Sequence, residues 1–402
     1  LRRINSSFFF AAIFAAAFFL LFCKGEGFHQ RHWAFPLESQ GSITVDPNPA
    51  SCGSCHLQQF GSWKSTLHSR ATGPGFLWQL PRIGKHGSEN CMNCHSPNPE
   101  VKSLLMSRLG WGEVSGSDWK SGSEENGVQC ASCHLRKGKV YGPFPKDGGN
   151  GRIFQNLNIP HQGFIPKKEF EESEFCKNCH QSPETSKQVN GKFLMDTYGQ
   201  WRRSEFARSN VQCQNCHMPD RKHEWKGISD PEMVKRGVQT SLQVVTKKEE
   251  AEIIAELKNS GVGHSFPSYS VPKVYLEIWT ETIKGEKRKI SEKTLGWMLD
   301  LELQREIFDT RLPQGGSALL QVHLSKEEFS KLKRVEFIVI VDPKEYYKRM
   351  FQDNWDYRDS FQEETKPWVL PNLRKALEEA NSARYELVRS EWKNVGIPTS
   401  NP

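Results

Sequence analysis

The chain runs to 402 residues with a formal charge of +7, and only 36 % of it is apolar. That length accommodates two domains or a little more, but the apolar share is thin for a globular chain of this size, which excludes a fold resting on aliphatic packing alone. The basic surplus would suit nucleic acid or an anionic membrane surface unless another part of the molecule consumes it.

At the N-terminus Arg2 and Arg3 precede an apolar run from Phe8 to Phe22, and the chain turns polar at Lys24. A basic start followed by such a run reads as a secretory signal, short for a membrane span, so residues 1–22 are expected to be a signal or anchor segment. Cys23 follows Leu20, Leu21 and Phe22, where a bacterial lipoprotein carries its lipidated cysteine, although Phe22 departs from the small residue usual before it. Lipid anchor, uncleaved signal anchor and cleaved signal peptide all stay open. Residues 23–49 are polar and rich in turn residues, with His29, His32 and Trp33 the notable side chains, and read as a linker.

Five copies of one pattern then dominate: Cys52-Gly-Ser-Cys55-His56, Cys91-Met-Asn-Cys94-His95, Cys130-Ala-Ser-Cys133-His134, Cys176-Lys-Asn-Cys179-His180 and Cys213-Gln-Asn-Cys216-His217. Cys-x-x-Cys-His is the attachment signature of c-type haem. Two thiols about one helical turn apart can add to the two vinyl groups on one edge of a haem, and the next residue turns its imidazole onto the iron. Zinc ribbons also use paired Cys-x-x-Cys units but need no histidine after the second cysteine; with only 13 histidines in the chain, five such adjacencies point to haem. The expected cofactor is therefore five covalently attached haem c groups. They account for the thin core, since each porphyrin is a large apolar body around which a segment can fold. They account for the charge too, because two propionates per haem bring about ten negative charges and leave the holoprotein near −3. Nucleic acid is then not an expected partner. Ten of the eleven cysteines are used by the motifs, so no disulfide framework is expected.

The motifs recur at intervals of 39, 39, 46 and 37 residues, with embellishing loops at 110–127 and 138–151. Part of the repetition is visible in the residues. Phe60-Gly-Ser-Trp63-Lys-Ser-Thr66-Leu-His68 follows the first motif and Tyr198-Gly-Gln-Trp201-Arg-Arg-Ser204-Glu-Phe206 precedes the fifth, while Val128-Gln129 and Val211-Gln212 lead into the third and fifth. Aromatic-x-x-Trp-x-x-Ser/Thr-x-His, the Gly-Val-Gln-Cys-Ala-Ser-Cys-His of the third motif and the Cys-Gln-Asn-Cys-His-Met218-Pro219 of the fifth resemble bacterial multihaem cytochromes c. The likeness, over roughly residues 50–345, is to the group related to the tetrahaem cytochrome that accepts electrons from hydroxylamine oxidoreductase. It implies closely paired haems, most irons with two axial histidines, and in some members one iron with an open site.

Eight histidines lie outside the motifs, whereas Met92 and Met218 are locked inside or beside one, so two histidines per iron and low potentials are expected. The distal candidates are His68, at the family's Trp-x-x-Ser/Thr-x-His position; His264, in Gly263-His264-Ser-Phe266-Pro267; His223, six residues after His217; His161, fifteen before Cys176; and His86, five before Cys91. His29 or His32 could stand in for His86. His323 lies on the polar side of an alternating strand and reads as a surface residue.

After Trp225 the texture changes. Segments 253–257, 274–280, 319–324 and 335–341 alternate or run apolar at strand length, separated by turn clusters. They suggest a small antiparallel β-sandwich over 226–345 that closes over the fifth haem and donates His264. Residues 346–402 read as a polar tail with one helix, capped by Asn372, striped by Leu373, Leu377, Ala380 and Leu387, ended by Gly396 and Pro398, and packed on the sandwich. The expected fold is α+β: a mostly helical or irregular, haem-dominated multihaem cytochrome c domain over 50–225, then the sandwich, then the helical tail.

The function expected is electron transfer by an exported pentahaem cytochrome of bacterial respiration, in the periplasm or on the outer face of a membrane, with redox proteins of the cell envelope as partners. The alternative is a multihaem oxidoreductase acting on a small nitrogen or sulfur compound at one open haem. No Cys-x-x-Cys-Lys motif occurs and no catalytic residue is identifiable. Intact-mass analysis of the purified protein should show the polypeptide plus five haem masses; bare polypeptide or bound zinc would contradict the motif reading.

Overall fold

The computed structural model describes residues 48–112, 127–136, 139–146, 161 and 163–394. The expected leader segment, Cys23, His29, His32, most of the first embellishing loop, part of the second and the Gly396–Pro398 terminator lie outside them. From 48 to 237 the chain alternates irregular segments with short helices: α1 (Pro49–Gly53), α2 (Leu57–Lys64), α3 (Pro74–Leu77), α4 (Leu80–His95), α5 (Pro99–Arg108), α6 (Cys130–His134), α7 (Glu174–His180), α8 (Thr197–Arg202), α9 (Glu205–Arg208), α10 (Cys213–His217) and α11 (Pro231–Gly237). Helices this short are marginal in isolation, and their polypeptide core is small, centred on Leu80, Met92, Leu105 and Met106.

Side chains bonded to backbone do much of the holding instead, and they do so twice in the same way. Trp63 Nε1 donates to the Val128 carbonyl at 2.8 Å, and Trp201 Nε1 to the Val211 carbonyl at 2.9 Å. Thr66 and Ser204 each return a hydroxyl to the carbonyl of the preceding tryptophan. The Val128 amide donates to His68 and the Val211 amide to Phe206, both at 2.8 Å. Gln129 and Gln212 then form capping boxes at the starts of α6 and α10, satisfying N-terminal amides that would otherwise lack partners. The sequence repeat is thus a structural repeat, one that clamps an aromatic-Trp-hydroxyl segment onto the lead-in of a motif.

Beyond residue 237 two antiparallel sheets share one core, beside a two-stranded ribbon pairing Trp297–Leu299 with Glu306–Asp309. Strands β1 (Val238–Thr246), β2 (Glu250–Asn259) and β5 (Ser317–Ser325) form one sheet in the order β5-β2-β1, and β3 (Lys273–Thr282), β4 (Lys287–Leu295), β6 (Leu332–Asp342) and β7 (Tyr385–Lys393) the other in the order β7-β6-β3-β4. Period-2 alternation sends Ile253, Ala255 and Leu257 of β2 inward to meet Val274, Leu276 and Ile278 of β3 and Val335, Phe337 and Val339 of β6, all with no exposed surface. His323 points outward, 57 % exposed, towards Glu252.

The C-terminal stretch differs from the helical tail expected of it. Two helices, α12 (Glu345–Asp356) and α13 (Lys366–Asn381), are followed by strand β7, which pairs with β6, so Leu387 belongs to a sheet and not to a helical stripe. α13 begins seven residues earlier than the expected start at Leu373, with Pro367 in its first turn, and Asn372 lies inside it, donating to the Trp368 carbonyl. Nor does this helix pack on the sandwich. Its buried face, Val369, Leu373, Ala376 and Ala380, joins Phe351 of α12 and Trp78 just after α3, and Trp368 Nε1 donates to the Leu77 carbonyl at 2.7 Å. The apolar stripe was legible, but its partner is the segment that leads into the second motif. Among the described residues no helix is long and apolar enough to cross a membrane. Truncating Phe337→Ala in the sandwich core should destabilise the protein by about 3–5 kcal/mol in urea unfolding; a loss below about 1 kcal/mol would mean this core is not close-packed.

Candidate functional site

Helices α4, α6, α7 and α10 each end on the histidine of a motif, while the first motif starts in α1 and its His56 immediately precedes α2. Four of the five motif histidines face a second imidazole supplied from elsewhere in the chain. His56 faces His161 with ring centroids 6.3 Å apart, His134 faces His223 at 6.1 Å, His180 faces His68 at 6.1 Å, and His217 faces His264 at 6.4 Å. Two metal–nitrogen bonds of about 2 Å each, plus the half-width of each ring, fill that separation. The distance is therefore right for two imidazoles that grip one metal ion from opposite sides, and too long for direct stacking.

The protonation pattern fits the same use. The Nδ1 atoms of His95, His134, His161, His217, His223 and His264 lie 2.6–3.0 Å from the carbonyls of Ala71, Tyr141, Gly163, Lys226, Arg221 and Ser265. A carbonyl only accepts, so Nδ1 carries the proton and the Nε2 lone pair is left for a metal. Burial pushes the pKa of His68 down to about 3 and those of His134 and His264 to about 4, so these rings are neutral at physiological pH. Burial also lowers His95, His180 and His217, yet each keeps exposed surface. Among the described residues no three His, Cys, Asp or Glu side chains converge on a common metal position, as the four ligands of a zinc ribbon have to.

The loop carrying His264 is pinned from the sandwich and from α8. Asn259, at the end of β2 and fully buried, donates to the carbonyls of His264 and Leu312 and accepts from the Val262 amide. Gln200 of α8 accepts from the Ser265 amide and donates to the Ser268 carbonyl. Gly263 passes so close to Phe206 that a Cβ there would sit 3.3 Å from its side chain. The two copies of the structural repeat therefore diverge with a purpose: the first ends in His68, and the second ends in Phe206, against which the chain brings His264.

His86 sits differently from the other distal candidates. Its side chain is 90 % exposed, with only Glu89 and Asn90 beside it, and it faces no motif histidine. It precedes His95 by nine residues on the same helix, about two and a half turns, so the two side chains leave opposite sides of α4. Among the described residues no histidine faces His95. Phe76 stacks on that ring at 4.7 Å, as Phe170 stacks on His134 at 5.0 Å, and since His134 also has His223, such a phenylalanine flanks the imidazole without taking the place of a ligand.

The motifs form a connected set in an order the chain does not follow. Cys52 lies beside Cys130, Cys176 beside Cys213 and Cys94 beside Cys179, and Cys133 lies near both Cys176 and Cys179. The first motif thus adjoins the third, the third the fourth, and the fourth both the fifth and the second. Trp225, which sequence patterns did not single out, stands edge-on to both His68 and His223 at 4.8 and 4.9 Å, holding a left-handed backbone at φ 38° to do so.

No family model and no curated protein matches this chain. Among solved structures it is similar to a penta-heme cytochrome c552 from Thermochromatium tepidum, with a TM-score of 0.58 at 16 % identity over 85 % of this chain and 97 % of that one. At that identity the likeness establishes a shared fold and nothing beyond it. The narrower likeness to the tetrahaem group rests on the sequence motifs alone.

Proposed function

We propose that this chain is a pentahaem c-type cytochrome that carries electrons through a branched row of centres. Haem iron, when bound, supplies one-electron redox chemistry, at the low potentials that two histidine ligands favour. Each Cys-x-x-Cys pair would hold one haem by thioether bonds, with His56, His95, His134, His180 and His217 as proximal ligands. His161, His223, His68 and His264 would be distal ligands of the first, third, fourth and fifth centres respectively. The observation that carries the reading is the set of four facing imidazole pairs at 6.1–6.4 Å, each joining a motif to a segment with no cysteine of its own.

What the polypeptide does beyond ligation follows from its contacts. Carbonyl acceptors fix the tautomer and plane of six imidazoles. Adjacent motif cysteines bring neighbouring centres together along the path first, third, fourth, fifth, with the second joined at the fourth. The surplus of lysine and arginine would neutralise propionates. Export is part of the proposal, since c-type haem is attached outside the bacterial cytoplasmic membrane, with residues 1–22 as the targeting or anchoring segment and Cys23 as a lipid site. The partners would be redox proteins of the cell envelope.

A second reading, an oxidoreductase for a small nitrogen or sulfur compound, is favoured by one observation, that no described histidine faces His95.

In the purified holoprotein, His264→Ala should leave five haems bound while one in five changes from low to high spin, and His86→Ala should leave the spectrum unchanged. A wholly unchanged spectrum in His264→Ala would contradict the assignment.

A further inference from the structure

An imidazole that binds a metal through Nε2 keeps one freedom, rotation about that bond, and a hydrogen bond at Nδ1 ordinarily removes it. Carbonyls hold both rings of the His134–His223 and His217–His264 pairs in this way, and His161 of the His56–His161 pair. The ring planes in these pairs lie 27°, 8° and 19° apart respectively, close to parallel. The pair at the fourth motif differs. His68 and His180 are turned 52° from one another, and among the described residues no carbonyl meets Nδ1 of either ring.

What reaches His68 instead is Trp225, edge-on at 4.8 Å with the planes 63° apart. The same indole stands against His223 at 4.9 Å and 83°, so it is lodged between the distal imidazoles of the third and fourth motifs. The chain on either side fixes its place. Before it, the His223 amide donates to Ser62 Oγ of α2 at 3.2 Å, and His223 Nδ1 donates to the Arg221 carbonyl at 3.0 Å. After it, the Lys226 carbonyl accepts from His217 Nδ1 at 2.6 Å. Between these anchors Trp225 keeps φ at 38°, a left-handed conformation that persists only where the surroundings impose it. An edge-to-face contact between rings is directional, and a ring anchored on both sides resists rotation of the one it meets.

We infer that Trp225 is a positioning residue for the fourth centre: packed edge-on to His68, it holds that imidazole crossed against His180. This rests on the pentahaem reading and adds to it the residue that sets ligand geometry where the proposed path branches. His223 receives the same indole but does not depend on it, because the Arg221 carbonyl already fixes its plane. Orientation matters because axial ligands set the electronic state of haem iron. Parallel imidazole planes split the iron orbitals that overlap the ligand π systems, whereas crossed planes bring those orbitals together and move the electron paramagnetic resonance of a low-spin ferric centre to lower field. The branch centre is thereby made different from the centres it joins.

Electron paramagnetic resonance of the oxidised holoprotein, with intact mass to count haems, tests this on wild type, Trp225→Leu and Trp225→Phe. In wild type one low-spin signal should lie at lower field than the rhombic signals of the near-parallel pairs. Trp225→Leu, which removes the ring, should move that signal alone towards the rhombic set and leave the third centre as it was; Trp225→Phe, which keeps an aromatic edge, should retain it. A wild-type spectrum without a low-field signal would overturn the assignment, as would a Trp225→Leu spectrum identical to wild type. So would a joint shift of the third and fourth centres, or fewer haems in Trp225→Leu than in wild type, since the indole would then serve the packing of the region and not the orientation of one ring. In each of these cases five haem masses in wild type leave the pentahaem reading standing; fewer than five would contradict that reading itself.

Discussion

Two imidazoles facing each other across about 6 Å are what much of the chain between residues 48 and 264 is arranged to produce. Residues 48–237 have little apolar polypeptide to bury, and their helices are mostly too short to persist alone. The segments are placed so that His161 reaches His56, His68 reaches His180, and His223 reaches His134. In each case a carbonyl-bonded or deeply buried ring presents an unprotonated nitrogen to its partner. A region built this way depends on what lies between the rings for much of its cohesion, as zinc-dependent small domains depend on their metal.

The duplicated clamp explains how the two architectural halves became interdependent. Both copies use a tryptophan to seize the valine two residues before a motif cysteine, but only the first offers a histidine at its end. In the second, Phe206 fills that place, and the imidazole arrives from a loop tied to strand β2 through Asn259 and to α8 through Gln200. The sandwich core sets the position of a strand end, the strand end sets Asn259, and Asn259 sets His264. In the reading proposed here, the β domain is a ligand donor to the fifth centre.

Much of this could be read before any coordinates. The motifs, the four histidines that face them, the clamp and four of the sandwich strands were visible because each is a local pattern with a fixed spacing, two residues for a strand or a few for an attachment motif. What failed was whatever depended on distant contacts. His86 looked suitable from its nearness to Cys91, but nearness along a helix placed it on the wrong side. Leu387 continued an apolar stripe in sequence, yet its strand was recruited by β6 more than forty residues earlier, and Leu373 found its partner in Trp78. The order in which the motifs touch, first to third and second to fourth, follows from packing between segments dozens of residues apart and left no trace in local pattern.

The most direct measurement is anomalous scattering at the iron absorption edge from crystals of the holoprotein. The account predicts five iron peaks, four of them midway between the rings of His56 and His161, His134 and His223, His180 and His68, and His217 and His264. Peaks that appear only at the zinc edge, or irons that lie away from those midpoints, would contradict it.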